Sequence, residues 1–271
     1  MTTAPWTAVP DQRGRRFVVT GATSGIGLLT ARVLVHRGAE VVLGVRNEEK
    51  GAAAAAQMTG PGQAVVEKLD VSDLSSVEAF AERIGDVDVL VNNAGILGVA
   101  QGTSVDGVEL HLATNHLGHH ALALRMLPRI GDRVVVVSSN SHRHGELDVT
   151  DLGWQRRPYK PYAAYAASKL ANMLFTRELS RRLRASGVTA NCLHPGVVAT
   201  SFGRDGDARG LWALAFRAYR PFMLTPEQGA RTTVFVACDP GLQETSGQYF
   251  ANCAQVRSSR ASQDHEAAVR L

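Results

Sequence analysis

Short apolar runs rich in β-branched residues recur along this 271-residue chain, with helical stretches between them, and that alternation does most to narrow its fold. The strand candidates are 16–20 (RFVVT), 40–45, 64–69, 87–91, 133–138 (RVVVVS), 188–193 and 247–250. Several are continuously apolar instead of alternating, as expected of parallel strands buried on both faces. Helix candidates lie at 25–37, 47–58, 73–84, 106–128, 162–185 and 226–238; Ser72 or Asp73 can cap the third, and Gly187 follows the fifth. The pattern predicts an α/β fold: a doubly wound parallel sheet of about seven strands, helices on both faces, right-handed crossovers. No linker or repeat divides the chain, and its only biased tract, Ala52–Ala56, is helix-forming. One domain is therefore expected over 14–271, after a flexible segment at 1–13.

Composition removes several function classes. No apolar run of about 18 residues exists, which argues against stable membrane insertion. The start, MTTAPWTAVPDQRGRR, lacks the apolar core of a signal peptide, so a soluble cytoplasmic protein is expected. Cys192, Cys238 and Cys253 are odd in number and form no CxxC pair, which excludes a disulfide frame or zinc ribbon. The net charge of +4 is dispersed, densest at Arg13, Arg15 and Arg16 and at Arg181, Arg182 and Arg184. Without interleaved aromatics this is a solvated surface and not a nucleic-acid interface. His116, His119 and His120 have no nearby carboxylate to complete a metal site, so they are read as packing or interface residues, and no metal is expected.

The first strand candidate runs directly into Thr20-Gly21-Ala22-Thr23-Ser24-Gly25-Ile26-Gly27, and a helix follows. Glycines there let backbone N–H groups approach a pyrophosphate at a helix N-terminus. Arg46 follows the second strand, where an acidic residue would favour NAD; an arginine can pair with the 2′-phosphate of NADP. Asp70-Val71 after the third strand is placed to touch adenine. Asn92-Asn93-Ala94-Gly95 after the fourth is small and polar, as a close backbone approach to a cofactor requires, though a plain strand-end turn would look the same.

Tyr165 and Lys169 fall one helical turn apart on one face, and the chain has only four lysines. A nearby ammonium favours phenolate and lowers the tyrosine pKa, fitting Tyr165 for acid–base work. Ser139, at the end of the valine-rich fifth strand, can donate to a substrate oxygen. Asn115 interrupts a helical stretch, where asparagine is a poor fit, and a water-linked proton path from Lys169 past Asn115 is expected.

Together these motifs resemble the classical short-chain dehydrogenase/reductase family: Thr20-Gly21-x-x-x-Gly25-x-Gly27, Asn92-Asn93-Ala94-Gly95, Asn115, Ser139, Tyr165-x-x-x-Lys169 and Pro195-Gly196, in order across roughly 16–200. A finer likeness is to its retinol-dehydrogenase-like branch, through Arg46, Ser138-Ser139-x-x-His142, Ser168-Lys169-Leu170-Ala171-Asn172, His194-Pro195-Gly196-Val197-Val198 and Ser246-Gly247-x-Tyr249-Phe250. The resemblance implies a Rossmann fold, NADP(H), and Asn115, Ser139, Tyr165 and Lys169 as the catalytic set. It also implies that Lys169 holds the nicotinamide ribose, with Pro195, Gly196, Val198 and Thr200 at the nicotinamide end. The activity implied is hydride transfer between nicotinamide and a carbonyl or alcohol carbon of a small molecule.

Leu211, Trp212, Ala215, Phe216 and Tyr219 fall on one helical face within 201–226, as a lipophilic substrate cover would, or a packing face. The resemblance implies a homodimer or homotetramer through 106–128 and 162–185, unless the insert at 146–161 covers that face. Two other functions compete. A non-catalytic NADP-binding regulator would not need the acid–base tyrosine. An epimerase or dehydratase usually carries a larger region than the one following His194-Pro195-Gly196.

Overall fold

The computed structural model describes residues 9–198 and 223–271. Eight strands form one sheet in the order β3-β2-β1-β4-β5-β6-β7-β8. They are β1 (Arg16–Thr20), β2 (Glu40–Val45), β3 (Gln63–Lys68), β4 (Val87–Asn92), β5 (Ile130–Val137), β6 (Thr189–Leu193), β7 (Tyr249–Ala251) and β8 (Ala254–Gln255). All pair in parallel except β8, which returns antiparallel to β7.

The apolar runs bury both faces as expected. Val18, Leu90, Val134 and Val136 face one core with Phe80, Leu122, Met126 and Met173. Their neighbours Phe17, Val19, Val89, Val91 and Val135 face a second core with Leu34 and Val234. The helices α1 (Gly25–His36), α2 (Glu48–Ala55) and α6 (Pro226–Cys238) cover this second core. The first lies under α3 (Leu74–Arg83), α4 (110–126) and α5 (Pro161–Arg182). Each such side chain, fully buried, contributes about 1.5–3 kcal/mol.

Four expectations change. An eighth strand appears because Asn252 and Cys253 both take positive φ, 49° and 58°, and make a two-residue hairpin turn without glycine. The helix expected from residue 106 begins at Leu110, after Gly107 turns the chain at φ 76° and Glu109 caps the first amides. A short C-terminal helix, α7 (His265–Arg270), packs on α5 through Ala268. Residues 9–13, expected to be flexible, are docked: Val9 belongs to the second core and the Gln12 amide donates to Arg37 O at 2.8 Å. Thr200 and the proposed covering residues Leu211–Tyr219 lie outside the described residues, and so does the start of the N-terminal segment.

Candidate active site

The strand order reverses direction between β1 and β4, and ligands of such sheets bind beyond the carboxyl ends at that point. There the two glycine-containing motifs lock together. Thr20 Oγ1 accepts from the Asn93 and Ala94 amides, both at 2.9 Å, and Asn93 Nδ2 donates to Thr20 O at 2.8 Å. A Cβ on Gly27 would lie 2.4 Å from Asn93 Nδ2 and 2.5 Å from Gly21 O, so this packing alone demands glycine. Ser24 is the N-cap of α1 yet makes no side-chain cap bond, whereas Asn47 and Asp73 cap α2 and α3 with their side-chain oxygens. The first amides of α1 are thus left for an anion.

A cavity of about 450 Å³ runs along these strand ends. Its walls include Gly21, Thr23, Ser24, Gly25, Ile26, Gly27, Arg46, Asp70, Val71, Asn93, Ala94, Gly95, Tyr165, Lys169 and Pro195, all expected there. Asn115, Ser139, Gly196 and Val198 are not on its wall. Gly196 (φ 87°) instead turns against Leu224, and Val198 bridges to Leu224 and packs over Gly229. Among the wall residues that sequence reasoning missed are Asn47, Lys50, Ile96, Val99, Leu110 and Thr114. Lys50 could have been found, since it stands four residues past Arg46 at the start of a helix. Among the described residues neither the Arg46 nor the Lys50 side chain has a hydrogen-bond or ion-pair partner. Two unpaired cations beside open helix amides suit a phosphate-bearing cofactor.

At the other end, Tyr165 and Lys169 come from one buried face of α5. Ser138 Oγ donates to Lys169 O at 2.8 Å and fixes α5 against the end of β5. Half-buried Ser139 caps the short turn Asn140–His144, its Oγ accepting from the Ser141 amide at 3.1 Å, and its side chain acts on the Tyr165 phenol. Burial pushes the Tyr165 phenol up to about 12, opposed by Ser139; burial pushes the Lys169 ammonium down to about 8. The expectation that Lys169 lowers the tyrosine is not met by this geometry. Its Nζ is turned to Val137 O at 3.0 Å and lies 5.8 Å from the Tyr165 ring centroid.

Asn115 sits in a π-helical turn, Ala113–Leu117, between the α-helical parts Leu110–Leu112 and Gly118–Met126 of α4. Such turns are rare and cluster at functional sites. Asn115 Oδ1 accepts from the Ile96 amide at 2.7 Å, and Nδ2 donates to Ile96 O at 3.0 Å and Ser168 Oγ at 2.9 Å. A Cβ on Gly95 would lie 3.1 Å from Asn115 Oδ1 and 3.5 Å from Lys169 Nζ, so glycine keeps a gap between the two. The adjacent histidines are held as packing residues: His119 bonds Thr20 Oγ1 at 2.8 Å and His116 bonds Asn172 Oδ1 at 3.1 Å. Burial pushes them down to about 4 and about 3 respectively. Among the described residues no group of three or more metal-ligating side chains converges, and no helix is long and apolar enough to cross a membrane.

A model of the short chain dehydrogenase family matches residues 15–209. Retinol dehydrogenase 12 of Homo sapiens is 40% identical over 269 residues, spanning 95% of this chain and 84% of its own. A probable oxidoreductase of Streptomyces antibioticus is 39% identical over 274 residues, spanning 96% of this chain and 92% of its own. Among solved structures, an uncharacterized protein from Mycobacterium Paratuberculosis superposes with TM-score 0.83 at 40% identity, covering 98% of this chain and 93% of that one. A proposed NAD(P) dependent gluconate 5-dehydrogenase from Beutenbergia cavernae, with NADP bound at low occupancy, gives TM-score 0.68 at 31% identity, covering 89% and 95%.

Proposed function

The chain belongs to the short-chain dehydrogenase family, in its retinol-dehydrogenase-like branch, and on that premise we propose that it is an NADP(H)-dependent oxidoreductase acting on the carbonyl or alcohol carbon of a lipophilic small molecule. The observation that carries this proposal is one cavity reaching from Arg46 and Lys50 to Tyr165 and Lys169. Arg46 follows β2, and Lys169 Nζ reaches Val137 O at the end of β5, three strand spacings or roughly 14 Å across the sheet, a span suited to a dinucleotide. The unpaired cations favour the 2′-phosphate of NADP over the free hydroxyl of NAD. The apolar walls Ile96, Val99 and Leu110, and relatives named retinol dehydrogenases, support a lipophilic substrate.

When bound, the cofactor supplies or accepts the hydride. Ser139 Oγ donates to the substrate oxygen and stabilises charge as it develops there. Tyr165 Oη holds the proton exchanged with that oxygen, giving it in reduction and taking it in oxidation. Lys169 holds the nicotinamide ribose and, as an ammonium, returns a proton to Tyr165 once the phenol has given up its own. Asn115 fixes the Ile96 segment and, across the gap at Gly95, stands on the path by which Lys169 is reprotonated.

The test is NADPH oxidation with a panel of lipophilic aldehydes and ketones, with NADH and Tyr165→Phe as controls. Turnover with NADPH that drops at least about 100-fold in Tyr165→Phe is expected, the size of a lost general acid. Failure to bind either dinucleotide would overturn the proposal.

A further inference from the structure

The insert at 146–161, which separates Ser139 from Tyr165, is tied down at its far end to a buried carboxylate. Glu109 is 2% exposed, and four donors converge on it. The His111 amide (3.0 Å), His111 Nδ1 (2.8 Å) and the Tyr159 hydroxyl (2.8 Å) meet Oε1, and the Leu112 amide (2.8 Å) meets Oε2. The insert itself is ordered by local contacts: the Arg157 guanidinium lies 3.9 Å over the Trp154 ring, and Trp154 packs edge-on to Tyr159 at 5.8 Å.

The imidazole of His111 is wholly buried and used on every side. Its Nδ1–H is taken by Glu109, so Nε2 is the acceptor, and it receives the Gly98 amide at 3.2 Å. The ring meets the Tyr165 ring edge-on, centroids 6.3 Å apart. Gly98 lies between Ile96 and Val99, both on the cavity wall. Two residues past Tyr159, Pro161 opens the helix that carries Tyr165. Each arm of this cluster therefore ends on a part of the reacting end: the wall loop, the tyrosine ring and the start of its helix.

We propose that Glu109, His111 and Tyr159 form a positioning triad that sets Tyr165 and the Ile96–Val99 loop for the reaction. None of the three touches substrate. A buried triad serving stability alone would change melting and leave turnover in the folded protein untouched; this triad changes turnover. The inference rests on the oxidoreductase proposal above.

Two half-replacements separate its arms. His111→Asn puts an amide where Nδ1 stands, keeping a donor for Glu109 and losing the acceptor for Gly98; His111→Gln puts one where Nε2 stands and keeps that acceptor. Tyr159→Phe removes a single hydroxyl. The measurements are hydrogen exchange of the cofactor-free protein over 95–102, the Kd for NADPH, and kcat and KM with a carbonyl substrate well below each variant's Tm. In His111→Asn we expect exchange at Gly98 to speed up at least tenfold and kcat to fall at least tenfold, with KM and Kd within threefold of wild type. His111→Gln restores kcat to within threefold. If His111→Asn does not fold, Tyr159→Phe decides, with an expected loss in kcat of threefold or more. Unchanged kcat in a folded His111→Asn or Tyr159→Phe, beside an active wild type, overturns the triad alone. An inactive wild type overturns both proposals.

Discussion

Arg46 stands where β2 gives way to α2, exposed, its side chain without a partner among the described residues. A hydrogen bond to a charged group is worth about 1.5–3 kcal/mol. Arg46→Ala should therefore weaken NADPH binding by roughly tenfold or more, and NADH binding hardly at all. Fluorescence titration of both cofactors checks this; equal losses would move the 2′-phosphate contact elsewhere. Lys169 gives a prediction with two opposed signs. Its folded pKa is pushed down from 10.5 to about 8, so the ammonium is lost as pH rises through about 8. Reduction with NADPH should decline above that pH. Between about 8 and 9 the unfolded chain holds the proton that the folded chain has released, so Lys169 makes stability rise there; above about 9 the buried thiols of Cys192 and Cys238, pushed up from 9.0 to about 12, keep protons that the unfolded chain loses and oppose that rise. Rate profiles and urea midpoints across pH 7 to 10.5 test the pair; a rate limb that falls only near the unperturbed lysine value would show that Lys169 is not the group involved.

At the scale of elements, α4 makes the tightest crossing. A Cβ on Gly118 would lie 1.7 Å from Val71 O, a backbone atom that no side-chain motion can clear. Gly118→Ala should cost at least about 1–3 kcal/mol in urea unfolding. It should also weaken NADPH binding, because Val71 is on the cavity wall. An unchanged midpoint would mean that the helix and the turn after β3 are free to separate. The major elements were readable in advance because strand valines and helix alanines carry local periodicity. Thr20, Asn93, Tyr165 and Lys169 were readable because their motifs are contiguous. The π turn was not, because it is held by Asn115 bonding Ile96, 19 residues away. Nor was the seating of the insert, which depends on a tyrosine meeting a glutamate 50 residues earlier. β8 escaped notice because Asn252 and Cys253 make its turn without the glycine such turns usually carry.

For the molecule as a whole, the question is whether α5 offers a face to a second copy. Leu170 and Leu174 of that helix are covered within the chain by Leu147 of the insert and by Ala267, Ala268 and Leu271 of the C-terminal helix. A homodimer or homotetramer joined through this Leu170–Leu174 face would have to displace these residues. We predict a monomer of 29.0 kDa by light scattering at working concentration, and twice that mass would refute it. The two borders of the sheet bear on a different kind of association. On one side the last strand is β8, two residues long and running against the rest. On the other, β3 carries Glu67 and Lys68, with Gln63 donating back to Glu40 at 2.7 Å. A border of only two residues on one side and a charged one on the other give a neighbouring chain little to zip onto, which is how natural sheets avoid fibrous aggregation. Concentrated stocks should accordingly stay clear, and any turbidity on heating should follow unfolding instead of preceding it.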